Sequence, residues 1–242
     1  MAQNRTHAVM AQRFESSRSL DNFPTPRWAV RALVEHVIGA EHVRGLSCWE
    51  PACGQGHTAS ALAEYFRSVQ ASDVHDYGFG EVQDFLADGL FTPEPRAVDW
   101  IVTNPPFKLC EQFILKALGQ ARHGVAMLTR TTFLESVGRY ERLFLPYPPT
   151  IFAPFVERVP MVKDRIDPNA STATAYCWLC WIKPLGIATA VRWIPPCRKQ
   201  LERAGDYDEP AVVPSQGGGS KSNPRERNNH QDPHGQVFLP LN

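Results

Sequence analysis

Between residues 46 and 145 short apolar runs alternate with segments whose apolar side chains recur at helical spacing. That alternation leaves few folds open to the chain. LSCWEPACGQG reads as a buried strand running into a glycine turn, and HTASALAEYFRS as a helix with Ala61, Leu62, Tyr65 and Phe66 on one face. SVQASDV, EVQDFLA and AVDWIVT follow as three further strands. A helix from about Leu109 to Ala121, a fifth strand in GVAMLTR and a helix to about Leu145 complete the series. Strands separated by helices do not form hairpins; they pair in parallel, with the crossover helices covering the sheet. Ahead of them, FPTPRWAVRALVEHVIGA predicts a helix after two prolines, with Trp28, Leu33, Val34, Val37 and Ile38 in a stripe. Beyond a proline-rich stretch at 145–170, TATAYCWLCWIKP and ATAVRWI predict late strands.

The 242 residues allow one large domain or two small ones. Residues 21–203 read as one folded unit, behind a polar, flexible leader at 1–20. From 204 to 242 the chain is rich in Gly, Pro, Ser, Asn and charge, including Gln216-Gly217-Gly218-Gly219-Ser220. Such a composition buries too little apolar surface to fold, so this segment is expected to be a disordered tail. No apolar run approaches the roughly 20 residues of a membrane helix, and the first 20 residues lack a signal peptide's apolar core. A soluble, cytoplasmic protein is expected.

The six cysteines are spread along the chain, and only Cys177 and Cys180 form a C-x-x-C. They lie in a strand-like run, where residues three apart face opposite ways, so no metal site is expected and the thiols should be reduced and buried. The 25 basic and 25 acidic side chains cancel, but residues 1–103 carry −5 and residues 104–242 carry +5. That split is compatible with a polyanion at the second half and equally with chance.

Three features at successive strand ends carry chemistry. Glu50-Pro51-Ala52-Cys53-Gly54-Gln55-Gly56 is a strand-to-helix turn where a ligand can approach backbone amides. It lacks the Lys-Ser/Thr of a phosphate loop, so a nucleoside triphosphate is poorly served. Asp73 offers acceptors for two ribose hydroxyls, and Asp84-Phe85 an acceptor and a ring for an adenine, although an acid after a strand is also an ordinary turn residue. The most specific is Asn104-Pro105-Pro106-Phe107, after the apolar run Trp100-Ile101-Val102-Thr103. Two prolines remove donors and leave carbonyls free; the Asn oxygen and a Pro carbonyl together hold both hydrogens of a planar amino group while Phe107 stacks on its ring.

This ordered set resembles the S-adenosylmethionine-dependent N6-adenine DNA methyltransferases of bacteria and phages, over roughly residues 20–185. Phe23-Pro24-Thr25-Pro26 resembles that family's N-terminal cofactor motif, Glu50 to Gly56 its first cofactor loop, and Asp73 its ribose acid. Asp84-Phe85 resembles its adenine-contacting pair and Asn104 to Phe107 its catalytic tetrapeptide, in the gamma-type order. The resemblance implies a Rossmann-like class I methyltransferase with a mostly parallel seven-stranded sheet flanked by helices. S-adenosylmethionine is the implied cofactor, with Phe23, Thr25, Pro26, Glu50, Pro51, Ala52, Cys53, Gly54, Gly56, Asp73, Asp84 and Phe85 at its site. Asn104, Pro105, Pro106 and Phe107 are the implied catalytic residues, DNA the substrate, and no metal is required.

Family members of stringent specificity carry a sizeable target-recognition region, for which this chain has only about Thr131 to Ala173, together with the basic stretch Arg192, Arg198, Lys199 and Arg203. Short or relaxed specificity is therefore expected, with DNA backbone contacts from Arg130, Arg139, Arg142, Arg158, Lys163 and Arg165. The proline-rich stretch, with Tyr147, Phe152 and Phe155, is a candidate for a second aromatic wall. Because the tetrapeptide recognises a planar amino group, a protein glutamine N5-methyltransferase and an RNA adenine methyltransferase stay open as alternatives. The glutamine enzymes usually have Tyr where this chain has Phe107, and a helical N-terminal domain as well. A non-enzymatic nucleic-acid-binding module would have no need of both Asn104 and the glycine loop.

Overall fold

In the computed structural model, which describes residues 21–87, 98–186 and 188–210, the apolar runs are strands of one sheet. These are β1 (Ser47–Glu50), β2 (Ser68–Asp73), β3 (Glu81–Val82), β4 (Val98–Thr103), β5 (Ala121–Arg130), β6 (Ile151–Pro154), β7 (Tyr176–Ile182) and β8 (Ala190–Val191). Their order is β3-β2-β1-β4-β5-β7-β6-β8. Neighbours from β3 to β5 are parallel, β7 runs antiparallel to β5 and β6, and β8 is parallel to β6. Eight strands thus stand among the described residues where seven were expected. The strand not anticipated is β6, in the proline-rich stretch; β8 lies within the expected run ATAVRWI but pairs only over Ala190–Val191.

Alternation along β7 explains why the sheet is buried on both faces. Tyr176, Trp178 and Cys180 join the core on one side, with Trp28, Leu33 and Trp100; Cys177, Leu179 and Trp181 join the core on the other, with Ile114, Ile101 and Met127. Burying a Leu, Ile or Phe side chain is worth about 1.5–3 kcal/mol, which makes this double packing the main driving force. The two C-x-x-C thiols point to opposite faces, as the strand reading requires. Among the described residues, no cluster of three His, Cys, Asp or Glu side chains is placed to hold a metal ion. No helix among them is long and apolar enough to cross a membrane.

Helix α1 (Arg27–Leu33) and its wider continuation over Val34–Ile38 cover the first face, and α4 (Cys110–Gln120) covers the second. Between them in the chain lie α2 (Ala40–Val43) and α3 (His57–Leu62); α5 (Val137–Arg139) and α6 (Arg198–Leu201) follow. Trp178 Nε1 donates to the Ala29 carbonyl at 3.1 Å and ties α1 to the sheet centre.

Three expectations need correction. The run EVQDFLA pairs only over Glu81–Val82, so Asp84 and Phe85 lie in the loop beyond β3. Conversely, the proline-rich stretch contains β6, whose short length and terminal proline conceal any alternation; Pro154 lacks an N–H but its carbonyl accepts from Ile194 at 3.0 Å. The expected disordered tail starts too early: within 204–210, Asp206 is buried and ion-paired with Arg31 at 2.7 Å. A polar segment needs no apolar face when one buried charge pair fixes it. The leader at 1–20 and residues 211–242 lie outside the described residues.

Candidate active site

Chain order reverses beside β1: β2 and β3 extend the sheet one way, and β4 begins on the other side of β1. In parallel sheets a crevice opens beyond the strand C-termini at such a reversal. A cleft of about 220 Å³ lies there. Its wall contains Phe23 and Thr25 from the segment before α1, Pro51, Ala52, Cys53 and Gly54 after β1, Asp73 at the end of β2, Asp84 and Phe85, and Asn104 and Pro106 after β4. Pro26, Glu50, Gly56, Pro105 and Phe107 do not line it.

Local backbone geometry builds the turn. Gly54 and Gly56 have φ of +50° and +89°, in the left-handed region that L side chains rarely adopt. A Cβ at Gly56 would also lie 2.5 Å from the Phe79 ring. Asp73 clamps the turn by accepting from the Gly54 amide at 2.9 Å through Oδ2 and from the His75 amide at 3.1 Å through Oδ1. Burial raises the Asp73 pKa above its ordinary value despite these amide bonds. Each oxygen retains a further lone pair for a ligand hydroxyl. Asp84 Oδ1 is engaged by the Leu86 amide at 2.8 Å. Phe85 is more a core residue than a free surface. Its ring meets Trp49 at 5.1 Å and Phe113 at 4.9 Å between centroids, leaving only part of it towards the cleft.

Glu50 acts from beneath. Its Oε1 accepts from Thr103 Oγ1 at 2.5 Å, joining the ends of β1 and β4, while Oε2 makes no hydrogen bond of good geometry. Burial pushes its pKa well above the usual carboxylate range; the Thr103 hydrogen bond opposes that shift and the nearby Asp73 charge adds to it. Gly56 caps α3 and Pro26 caps α1, both behind the cleft wall.

The tetrapeptide is organised from a distance. Asn104 Nδ2 donates to the Phe23 carbonyl at 2.9 Å and approaches Met161 Sδ at 3.7 Å. A carbonyl partner admits only the nitrogen, so the amide has one orientation, and its Oδ1 is left buried with no hydrogen-bond partner. The Pro106 carbonyl is taken by the Leu109 amide, whereas no hydrogen bond among the described residues ends on the Pro105 carbonyl. Phe107 donates its amide to Asp21 at 3.2 Å and packs its ring against Phe23 at 5.2 Å.

The cleft contains further residues that motif reading does not single out. His57, the first residue of α3, is buried with Nδ1 unpartnered; burial and then the Arg27 charge lower its pKa to about 4, so it is neutral. Thr25 Oγ1 and Gln55 Oε1 are likewise unpartnered. An unsatisfied buried polar atom costs about 1–3 kcal/mol, and four such atoms around one cleft mark it as built for a polar ligand. The only sequence signal for His57 was its place directly after the glycine turn.

No protein-family model matches the chain, and no curated protein matches it. Among solved structures, it is similar to one named as a modification subunit of a type I restriction enzyme from Vibrio vulnificus YJ016. That similarity has a TM-score of 0.53 and 16% identity, over 80% of this chain and 52% of that one. A structure named as an RNA methyltransferase from Pyrococcus horikoshii matches with a TM-score of 0.50 and 16% identity, over 66% of this chain and 87% of that one. The fold is that of the Rossmann-like methyltransferases. The chain spans about half the length of the Vibrio subunit.

On this methyltransferase fold the six basic candidates are not equivalent. Arg130, at the end of β5, lies over the Phe107 ring with Cζ 3.8 Å from the centroid. Lys163 and Arg165 flank the loop in which the Asp164 amide donates to the Asn22 carbonyl at 2.8 Å, beside the cleft. Arg142 pairs with Glu111 at 2.7 Å, Arg139 donates to the Phe133 carbonyl and covers its ring, and Arg158 donates to the Ala173 carbonyl at 3.0 Å. The expected second aromatic wall does not form. Phe155 packs edge-on against Trp28, Phe152 joins the core on the α4 side, and the Tyr147 carbonyl accepts from Trp181. The aromatic neighbour of Phe107 is Phe23.

Proposed function

We propose that the protein is an S-adenosylmethionine-dependent methyltransferase acting on the N6 amino group of adenine in DNA, with short or relaxed sequence specificity. The observation that carries this reading is the anchored amide of Asn104. Its unpartnered Oδ1 and the untaken Pro105 carbonyl leave two adjacent residues of the tetrapeptide with a free acceptor each. That pattern suits a group with two hydrogens, an exocyclic amine, and holding both hydrogens keeps the nitrogen lone pair out of the ring. The names of the two fold neighbours, a restriction-enzyme modification subunit and an RNA methyltransferase, support its coarser part, methyl transfer to a nucleic acid.

The unsatisfied atoms of the cleft fit the cofactor. Asp73 would take the ribose hydroxyls, Asp84 and the edge of Phe85 the adenine, and Pro51 to Gly54 the wall between them. Thr25 and neutral His57 would face the amino-acid end, while Glu50, Gly56 and Pro26 position the loop and helices from behind. When bound, S-adenosylmethionine supplies an electrophilic methyl group on a sulfonium centre. The chain's own contribution is placement: Asn104 and Pro105 hold the nucleophilic nitrogen, Phe107 holds its ring, and the prolines keep the carbonyls from moving. Residues 21–210 then constitute the catalytic domain. Arg130, Arg139, Arg142, Arg158, Lys163 and Arg165 supply phosphate contacts; the exposed ion pair of Arg142 is weak enough to exchange for DNA.

Transfer of a labelled methyl group to unmethylated DNA, RNA and a glutamine-containing release-factor peptide, followed by mass spectrometry, tests the proposal. N6-methyladenine in the DNA digest is expected; label in RNA or peptide with DNA blank overturns the substrate. Asn104→Ala should lower the rate by about 10²–10³-fold, as for loss of one preorganised polar contact, with sinefungin binding near the wild-type value. An unimpaired rate removes Asn104 from the mechanism.

A further inference from the structure

A flat target ring can stack on Phe107 only where a face of that ring is free, and in the structure two side chains already lie against the ring. It packs against the core through Phe23, 5.2 Å away and tilted by 42°. Phe23 is buried, and its carbonyl anchors Asn104, so it does not yield without dismantling the tetrapeptide. Arg130 covers the ring from β5, with its guanidinium carbon 3.8 Å from the centroid, the distance at which a base would stack. Its Nε is buried and makes no hydrogen bond, while the rest of the guanidinium lies within hydrogen-bonding reach of the Tyr176 hydroxyl on β7, so the stacked position leaves one of its donors unsatisfied. Arg130 ends β5 and is followed by the turn Thr131–Leu134, where the register with Tyr176 also ends. Its side chain can leave the ring without moving the sheet.

We propose that Arg130 guards the target-base slot: its guanidinium occupies the ring face of Phe107 in the free protein and exchanges it for a DNA phosphate as the base enters. The inference rests on the proposed adenine methyltransferase reading and adds what controls access to that site. A planar cation is a suitable stand-in for a base, because both stack on an aromatic face. The phosphate beside the extruded nucleotide then offers the charge-assisted hydrogen bonds that the ring does not. Base extrusion and clearance of the slot become one event.

The test uses binding, so that it is read separately from transfer. With the cofactor cleft saturated by sinefungin, free adenosine and a duplex containing one unpaired adenine are titrated into the wild type, Arg130→Ala and Arg130→Lys. Adenosine should bind between about 2-fold and 30-fold more tightly to Arg130→Ala, the span of a cation–aromatic contact no longer in competition. The duplex should bind more weakly, with a salt dependence shallower by about one phosphate contact. Arg130→Lys, which keeps the charge and loses the planar fork, should share the tighter adenosine binding and keep the duplex salt slope.

Opposite signs for nucleoside and duplex are the signature of a guard. Unchanged or weaker adenosine binding in Arg130→Ala, unchanged duplex binding, or no adenosine binding by any variant overturns the proposal. A wild type that transfers no methyl group to DNA defeats the functional reading instead, whatever the two titrations show.

Discussion

Replacing Asp206 with Ala should destabilise the protein by about 3 kcal/mol, because it strips a partner from a buried guanidinium. Asp206 accepts from Arg31 Nη1 at 2.7 Å and Nη2 at 2.8 Å, and from the Arg203 amide at 2.9 Å. Arg31 is 2% exposed and Asp206 4% by side chain. Breaking such a pair costs about 3–5 kcal/mol. Glu64 still holds Arg31 from the other side, at 2.8 Å to Nε and 2.7 Å to Nη2, which places the loss at the lower end. For a domain of this size each kcal/mol moves the melting point by about 2–4 °C, so Tm should fall by about 6–12 °C.

The pH dependence of that loss has a definite sign. Burial alone would raise the Asp206 pKa, but the Arg31 and Arg203 bonds outweigh it and hold the carboxyl below its usual value. A depressed folded pKa contributes stability above the unfolded value of about 3.9 and loses it as pH falls through the folded value. The gap between wild type and Asp206→Ala should therefore be full at pH 7 and close only below about pH 4. Urea and thermal denaturation followed by circular dichroism give both numbers. A loss under about 1 kcal/mol, or a gap already closing between pH 7 and 5, refutes the buried-pair account. Arg31→Met added to Asp206→Ala should recover part of the loss, since no lone buried charge remains.

Two other substitutions probe the cleft from behind. Glu50 has a raised folded pKa, so its ionisation opposes folding as pH climbs through the unfolded value of about 4.3 towards the folded one. Glu50→Gln keeps the Thr103 bond and should raise Tm at pH 7 but not at pH 4; an equal shift at both pH values would show that ionisation is not the cause. Gly56→Ala should cost about 2–4 kcal/mol, from the left-handed backbone and the overlap with Phe79 together. Phe79→Ala in the same chain should relieve only the overlap, and full recovery of the melt would remove the backbone from the explanation.

Much of this site was legible before any contact was known. The turn 50–56, Asp73 and Asn104 to Phe107 each follow a strand visible as an apolar run, and parallel strands deliver their C-terminal residues to one edge. Phe85 was visible as a residue but not as a core aromatic, because nothing in its neighbourhood announces Trp49 and Phe113. β6 was hidden by a proline at its end, and the folding of residues 204–210 by a polar composition that conceals a single decisive carboxylate.

Periodicity is a local property, repeating within a few residues, and it alone determined that this chain alternates strands and helices and where its strand-end turns fall. What it does not carry is the pairing of distant residues once the chain closes. Phe23 orients the Asn104 amide across 81 positions, and Asp206 neutralises Arg31 across 175. Arg130 reaches the Phe107 ring only because β4 and β5 lie side by side. Each of these contacts is a choice among many partners of equal chemistry, settled by packing density and the cost of leaving a buried polar atom unpaired. The tertiary structure made those choices.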